Sequence, residues 1–174
     1  MYLEIIILAE LAQRPSHGYE LKKRIYRDLA AQVEINSNTL YPALRRFSTD
    51  GLVRSVERHD PGRPPRQVYR LTAAGRRRLT TLLTDFEPAE AQRPEEFWTR
   101  VAFFDLVDAD VRRRVLRARL DALDTMVKKF GELRDRTTGE ETNPARWPTQ
   151  VVDFRVQIAE VERDWIRARL AEPH

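Results

Sequence analysis

The chain has 174 residues, of which 41% are hydrophobic and 33% are charged, and it contains no cysteine. This composition predicts one compact domain or two small ones, and it excludes disulfide frameworks, thiolate metal sites and cysteine nucleophiles. The net charge is only +4, but residues 1–86 carry +6 and residues 87–174 carry −2. Residues 36–78 contain ten arginines and only three acidic residues, a balance that favours a polyanionic partner.

The N-terminal residues do not indicate a membrane or secreted protein. The longest apolar run, residues 5–9, is far shorter than the roughly 20 residues that a membrane-spanning helix needs. A basic segment followed by a small-residue cleavage site, the mark of a secretory signal, does not begin the sequence. We therefore expect a cytoplasmic protein without a membrane partner.

Apolar spacing predicts two short helices at the start of the chain. The first covers about residues 3–13, and Pro15 ends it. The second covers about residues 17–30 and is capped by Ser16 or His17. Its buried face carries Leu21, Ile25 and Leu29, and its outer face is expected to carry Lys22, Lys23, Arg24 and Arg27.

Cap-forming residues at positions 36–38 predict a third helix over about residues 38–50, which Gly51 ends. Pro42 lies near its first turn, and this is tolerable only if the helix begins late. The apolar spacing places Leu40, Leu44 and Phe47 on one face, with Tyr41, Arg45 and Arg46 pointing elsewhere.

After Gly51 the apolar spacing changes towards two, which is typical of strands. Short strands are predicted over residues 52–58 and 67–71, and the proline- and glycine-rich residues 59–65 predict the tip of a β-hairpin. Thr72 is expected to cap a fourth helix. The order helix, helix, helix, hairpin, helix predicts a winged helix-turn-helix domain over residues 1–86.

A winged helix-turn-helix places its third helix in the major groove of double-stranded DNA and its hairpin at a neighbouring groove or backbone. Arginine guanidinium groups can bind phosphate or the guanine edge there. The predicted DNA-binding residues are Asn38, Thr39, Tyr41, Arg45, Arg46, Arg63, Arg66 and Lys22. Two alternatives stay open: a solvated face for Arg45 and Arg46, and a protein-interaction module whose basic face docks an acidic partner.

We expect the residues at the start of the second helix, His17, Gly18 and Tyr19, to have a structural role and not to form a metal site. The three histidines, at positions 17, 59 and 174, share no metal-ligand spacing. We expect Gly18 to allow close packing at the start of the second helix and Tyr19 to pack beneath the hairpin.

Residues 87–94 contain two prolines and predict a linker, after which residues 95–174 predict a helical second domain. A short aromatic helix over 94–107 is followed by a long helix, capped by Asp108 and reaching about Arg134, and by a last helix after a loop over 137–148. Both long helices carry apolar residues at alternating spacings of three and four. They predict packing of the two helices against each other and against a second subunit. The predicted dimerisation residues are Leu116, Leu120, Leu123, Val127, Phe130, Phe154, Ile158, Val161 and Trp165.

The second half of the chain holds eight of the ten Phe and Trp residues. This density favours a core and dimer interface, or alternatively a pocket for a small aromatic or apolar effector lined by Phe97, Trp98 and Phe104. The sequence has no glycine-rich phosphate loop, nucleophile elbow or metal-ligand cluster. An enzyme is therefore not expected, and neither is a cofactor.

Four motifs within residues 15–75 resemble the PadR family of bacterial transcriptional regulators. They are PSHGYEL at 15–21, NTLYPALRR at 38–46, DGLV at 50–53 and GRPPRQVYRLTAAG at 62–75. The resemblance implies a homodimeric winged-helix regulator, usually a repressor, that binds an inverted-repeat operator and is often released by a small effector. It also implies that Tyr41 and the start of the third helix contact DNA and that Arg63 and Arg66 belong to the wing.

The sequence departs from the family pattern at two positions in this region. Phe47 stands where Leu is more frequent, and Gln67 stands where a basic residue is common, which weakens one expected backbone contact of the wing. The second half is similar to the C-terminal region of the virulence-activator branch of the family, although no specific motif carries this likeness. Activation therefore stays open beside repression, and the fold class expected is mostly α with a small β-hairpin.

Overall fold

The structure is a computed structural model that describes residues 2–28, 35–59, 66–138 and 146–172. By its internal contacts the chain divides into two compact units: Met1–Asp85 with Trp98–Val107, and Phe86–Phe97 with Asp108–His174. This division differs from the predicted boundary at residue 95. Phe103 explains the difference, because its side chain is only 5% exposed and belongs to the hydrophobic core of the first unit.

The first unit contains four complete helices and a three-stranded antiparallel sheet in the order β1-β3-β2, and residues 98–107 add the end of a further helix and a 3₁₀ turn. The elements are α1 (Tyr2–Gln13), β1 (Ser16–His17), α2 (Gly18–Asp28), α3 (Ser37–Thr49), β2 (Val53–Arg58), β3 (Arg66–Leu71) and α4 (Ala73–Thr84). The predicted winged helix-turn-helix order is confirmed. Strand β1 was not predicted, because two residues are too few to show a strand's alternation.

Helix α1 is the centre of this unit. The sequence predicts a one-sided apolar stripe on it, but residues 5–9 are all fully buried. The helix contacts α2, α4 and β3, so neighbours surround it on several sides. A helix that is apolar around most of its circumference has to be buried in this way.

A buried ion pair joins α1 to α2. Arg24, expected on the outer face of α2, is instead only 4% exposed, so this prediction is wrong. Its Nε donates to Glu10 Oε2 at 2.6 Å, and its Nη1 donates to Ser16 Oγ at 2.8 Å. Because a buried guanidinium is stable only with such partners, Glu10 and Ser16 explain its position.

The predicted caps of two helices in the first unit are formed by side-chain oxygens. Asn36 Oδ1 accepts from Thr39 N at 2.9 Å at the start of α3, and Thr72 Oγ1 accepts from Gly75 N at 3.0 Å at the start of α4. The late start expected for α3 is wrong, since the helix begins at Ser37 and Pro42 lies inside it. Pro42 has no N–H to donate to the preceding turn, so α3 lacks one of its internal hydrogen bonds.

The second unit is helical. It contains α5 (Pro88–Ala91), the start of α6 (Pro94–Ala102), α7 (Ala109–Thr138) and α8 (Arg146–Ala171); a 3₁₀ turn (Phe104–Leu106) belongs to the first unit. Asp108 Oδ1 accepts from Val111 N at 3.0 Å and caps α7, as predicted. Buried Arg119 of α7 binds both carboxylate oxygens of Glu162 in α8, at 2.8 and 2.9 Å, and the Ala91 carbonyl of α5 at 2.7 Å.

The two predicted dimerisation stripes differ in exposure. Leu116 and Leu123 of α7 are buried within the second unit, while Leu120, Val127 and Phe130 are half-buried. On α8 the exposed fractions are 57% for Val151, 62% for Phe154, 50% for Ile158 and 73% for Val161. The buried residues of α8 are instead Ala159 and Ile166. Helix α8 thus packs through one face and leaves its apolar stripe uncovered in the single chain.

Candidate nucleic-acid interface

Helix α3 combines a buried apolar face with an exposed polar one. Leu40, Leu44 and Phe47 are buried as predicted, and this fixes which side of the helix is left for a partner. On the exposed side lie Asn38, Thr39, Tyr41, Arg45 and Arg46. The structure thus places five of the predicted DNA-binding residues on the solvent-exposed part of one helix.

These exposed residues are not equally available to a partner. The Thr39 hydroxyl donates to Asn36 Oδ1 at 3.0 Å, so its proton is already used within the helix cap. The guanidinium carbon of Arg46 lies 5.2 Å from the centre of the Phe47 ring. Among the residues that the structure describes, the Arg45 guanidinium makes no hydrogen bond or ion pair, and its charge acts on the nearby Tyr69 hydroxyl. Arg45 is therefore the side chain of α3 best placed to bind an external anion.

Three elements converge around Tyr41. Its side chain, 38% exposed, packs against Gly18 at the start of α2. Tyr69 of β3 is close by: burial of its hydroxyl raises its pKa above the ordinary value, Tyr41 adds to the rise and Arg45 opposes it. Gly18, Tyr41 and Tyr69 line a half-open cavity of about 600 Å³, whose other lining residues are His17, Tyr19, Glu20, Arg66 and Gln67. The junction between α2, α3 and the wing is thus an aromatic surface that carries both a cation, Arg66, and an acid, Glu20.

The wing presents arginines on one face. In the β2–β3 register, Arg54 lies opposite Arg70 and Arg58 opposite Arg66, with Val56 and Val68 between the two pairs. Since side chains alternate along a strand, all four arginines lie on the face opposite Val53 and Leu71, which pack on the core. Like charges placed directly opposite each other weaken a hairpin. A bound polyanion would relieve that repulsion.

Several predicted residues lie elsewhere. Arg63 lies outside the described residues. Lys22 lines a separate cavity of about 720 Å³ with exposed Tyr19 and Tyr26 rather than the junction at Tyr41. Tyr19 is 69% exposed and is therefore not buried beneath the wing as expected, although it lines the cavity at Tyr41 together with the wing residues Arg66 and Tyr69. His17 Nδ1 lies 3.3 Å from the Gln67 carbonyl, where its ring joins β1 to β3.

Two features of this interface could not be predicted from the sequence: the partner of Gly18 and the facing arginine pairs of the wing. The contact between Gly18 and Tyr41 joins positions 23 apart in the chain, which no helix or strand periodicity relates. The facing arginine pairs depend on the hairpin register, and this register follows from the structure rather than from composition.

Within the described ranges, no group of three or more histidine and acidic side chains could hold a metal ion. Over the same ranges, no helix is long and apolar enough to cross a membrane.

Comparison with known proteins identifies relatives of the first unit. The family model described as the transcriptional regulator PadR-like family matches residues 7–81. The transcriptional regulator Rv3488 of Mycobacterium tuberculosis is 40% identical over 74 residues, which are 42% of this chain and 65% of that protein. The probable transcriptional regulator Rv1176c of the same organism is 31% identical over 94 residues, 54% of this chain and 49% of that protein.

The matches with these curated relatives thus cover between about half and two thirds of their lengths. A crystal structure of Bacillus subtilis PadR in complex with operator DNA is 16% identical, with 98% of each chain covered and a TM-score of 0.48. The matched residues 7–81 run from α1 into α4. They include the exposed face of α3 and both strands of the wing.

Proposed function

We propose that this chain, which belongs through residues 7–81 to the PadR-like family of transcriptional regulators, binds an inverted-repeat DNA operator as a homodimer. In this proposal it represses transcription and is released by a small effector. Helix α3 enters the major groove, and the wing contacts the neighbouring backbone. One observation carries the proposal: the exposed cations of α3 and of the wing belong to the same compact unit, on elements that the fold uses for DNA.

Base reading is assigned to Arg45. Its guanidinium has no assigned partner, and a planar guanidinium can donate two parallel hydrogen bonds to guanine. Tyr41 is assigned a phosphate contact, because its side chain is 38% exposed on the face of α3 that also carries Arg45. These two roles would fix both the sequence read by α3 and the position of the helix on the duplex.

The wing arginines are assigned to the phosphate backbone. Arg54, Arg58, Arg66 and Arg70 lie on one face in two facing pairs, so they form a compact patch of positive charge. Phosphate contacts carry no sequence information, but they strengthen binding to every duplex and make it sensitive to salt. The patch would therefore supply general affinity, whereas Arg45 supplies selectivity.

The experiment that tests DNA binding begins with a selection of genomic fragments, starting with the DNA upstream of the chain's own gene, at about 150 mM salt. Enrichment of a dyad-symmetric site supports the proposal. Fluorescence anisotropy with that site and a scrambled duplex then compares Arg45→Ala with Arg54→Ala. The Arg45 variant should lose about 1–3 kcal/mol of binding free energy for the operator alone, and the Arg54 variant should weaken both duplexes alike.

Arg77→Ala is the matched control, because it removes the same charge from an exposed position on α4. It should change operator affinity less than either other variant. Sequence-independent DNA binding by the unmodified protein would contradict the proposal and favour a module that docks an acidic protein.

Whether the protein represses or activates transcription is tested separately by deleting the gene. Transcription from the operator's promoter should rise, and a fall would indicate activation.

The homodimer is supported by the uncovered stripe of α8. Val151, Phe154, Ile158 and Val161 are each at least half exposed and follow one another on one helix face. Exposed apolar residues that form a continuous patch mark an interaction site. We assign the stripe to a second copy of this chain, since two recognition helices related by a dyad are what an inverted repeat requires. Leu116 and Leu123 do not belong to this surface, because the single chain already buries them.

The effector is assigned to the second unit. The three predicted effector residues are not gathered there: Phe97 is fully buried, 6.5 Å from the Phe86 ring, whereas Trp98 and Phe104 belong to the first unit. A cavity of about 490 Å³ between α5 and α7 offers apolar walls at Met126 and Phe130, with Lys129 at its edge. This volume is within the range of small-molecule sites.

The effector proposal is tested by screening planar aromatic acids for those that raise the thermal unfolding midpoint and weaken operator binding. Ala122 lines the cavity, so Ala122→Trp should fill it and abolish both effects while operator binding is kept. A compound that still releases the variant from DNA would place the effector site elsewhere.

A further inference from the structure

Gly18 and Tyr41 are in such close contact that no other residue fits at position 18 without a shift. A β-carbon built on Gly18 would lie 2.6 Å from Tyr41 Cε1 and 3.0 Å from both Cζ and Oη. Among the glycines of the described ranges, the left-handed φ of 69° belongs to Gly51, not to Gly18. Position 18 therefore needs glycine for the close approach of the tyrosine ring and not for its backbone conformation.

Contacts of the two preceding residues fix the backbone at Gly18 beneath the Tyr41 ring. Ser16 and His17, which precede Gly18, pair with Tyr69 and Val68 of the wing strand β3. Ser16 Oγ also accepts the hydrogen bond from buried Arg24 at 2.8 Å. A side chain added at Gly18 would therefore meet a fixed backbone on one side and a movable ring on the other.

The atoms that a β-carbon would meet are at the far end of the Tyr41 side chain. A ring can rotate or tilt at a small cost, so the fold should accept a methyl group at position 18. What changes is the position of the Tyr41 hydroxyl. This distinguishes Gly18 from Gly75, where an added β-carbon would meet the backbone oxygen of Leu52.

We propose that Gly18 is a positioning residue for DNA recognition, one that acts by seating the Tyr41 ring on α3. The inference rests on the proposed function and adds to it. Because Gly18 has no side chain, the Tyr41 ring packs directly on the backbone at residue 18. This contact fixes the position of the Tyr41 hydroxyl relative to Arg45 and Tyr69. Gly18 itself touches no DNA, and its contribution passes wholly through Tyr41.

The proposal is tested by a double-mutant cycle on operator affinity with Gly18→Ala, Tyr41→Ala and the combined variant. Gly18→Ala should weaken operator binding by roughly 10- to 100-fold, the equivalent of one hydrogen bond to a charged group. In the Tyr41→Ala background the same substitution should have no further effect. Gly131→Ala is the matched control, because a β-carbon at Gly131 of α7 meets no atom within 4 Å.

A readout without DNA separates this inference from the proposed function. The chain has five tyrosines, so fluorotyrosine labelling should give five ¹⁹F resonances, and Tyr41→Phe identifies that of Tyr41. Gly18→Ala should shift this resonance, while Gly131→Ala should not. The thermal unfolding midpoint of Gly18→Ala should stay within roughly 4 °C of the unmodified protein, because alanine favours the helix.

Each outcome has a distinct meaning. An unshifted Tyr41 resonance in Gly18→Ala would overturn the seating of the ring, whether or not the protein binds DNA. A shifted resonance with unchanged operator affinity, or an equal loss of affinity in the Tyr41→Ala background, would overturn the positioning role. If the unmodified protein binds no operator, the proposed function fails, and with it the role in DNA recognition, although the seating contact can still be confirmed.

Discussion

Several single residues of the first unit fix how its helices and wing pack, because no larger side chain fits in their place. Gly75, near the start of α4, lies directly against the loop that precedes β2. An added β-carbon there would lie far inside van der Waals contact with Leu52 O, and it would also meet Leu71 Cδ1 at 2.6 Å. This clash involves the backbone, so it cannot be relieved by rotating a side chain.

Gly75→Ala should therefore destabilise the protein by roughly 1–3 kcal/mol, the usual cost of overpacking a core. The measurement is the free energy of unfolding from urea titrations followed by circular dichroism. Gly131→Ala provides the comparison and should be neutral or stabilising by up to about 1 kcal/mol, because it gains helix propensity without a clash. Equal stability of the two variants would show that the Leu52 loop yields easily.

The Arg24–Glu10 ion pair is a second constraint at this scale. Arg24→Met should cost roughly 3–5 kcal/mol, because it leaves the Glu10 carboxylate buried without a counter-charge. Replacing both residues, as Glu10→Leu with Arg24→Met, should recover much of that loss, since no charge is then left buried. Thermal and urea unfolding of the three proteins measures this, and a double variant no more stable than Arg24→Met would contradict it.

Sequence patterns could not have identified this ion pair. Helical spacing places Arg24 beside Lys23, and a charged residue in such a run is normally expected to face solvent. Its burial depends on Glu10 and Ser16, 14 and 8 positions away on other elements. The same reason applies to Gly18, whose partner Tyr41 lies on another helix.

At the scale of elements, local signals fixed most of the first unit. Apolar periodicity, cap residues and the turn at residues 59–65 predicted α1 to α4 and the hairpin, and each lies within a few residues of its predicted position. These signals act between near neighbours in the chain, so they can be read from one sequence. Strand β1 is different, because its two residues are extended only by pairing with β3.

The cap of α3 is a local signal with a consequence for the interface. Asn36→Ala removes the acceptor for Thr39 N and Thr39 Oγ1 and should cost about 1 kcal/mol of folding free energy. It should also weaken operator binding, because the first turn of α3 carries Asn38 and Thr39. Asn36→Asp is the informative comparison, since aspartate caps equally well and should restore stability. If Asn36→Asp were as unstable as Asn36→Ala, the cap would not be the source of the effect.

The faces of α8 show where element-level patterns fall short. The spacing of Phe154, Ile158 and Val161 correctly marks an apolar stripe, but spacing cannot say what covers it. Within the chain, α8 is held to α7 by a neighbouring face, where Arg119 binds Glu162 and Arg163 Nη2 lies 2.6 Å from Asp124 Oδ1. The internal side of the helix thus combines buried Ala159 and Ile166 with these charged pairs, and the apolar stripe stays exposed in the single chain.

At the scale of the whole molecule, the two units carry separate tasks in the proposed regulator. The first unit holds the cationic helix and wing, and the second holds the uncovered stripe of α8. A single recognition helix contacts only a few base pairs, so the affinity for an operator depends on two copies binding together. Loss of the dimer should therefore be seen in DNA binding even though no residue of α8 contacts DNA.

If the chain is the proposed homodimer, Phe154→Glu should convert it into a monomer, because it places a charge in the middle of the exposed apolar stripe. Sedimentation equilibrium measures the mass, and anisotropy with full and half operators measures binding. The variant should lose its preference for the full inverted repeat while its affinity for a half-site is kept, since the first unit is unchanged. Arg167→Glu introduces a carboxylate at an exposed position on the side of α8 opposite the stripe, and it should remain a dimer. A dimeric Phe154→Glu protein would mean that the two copies meet through another surface, and that the α8 stripe binds a different partner.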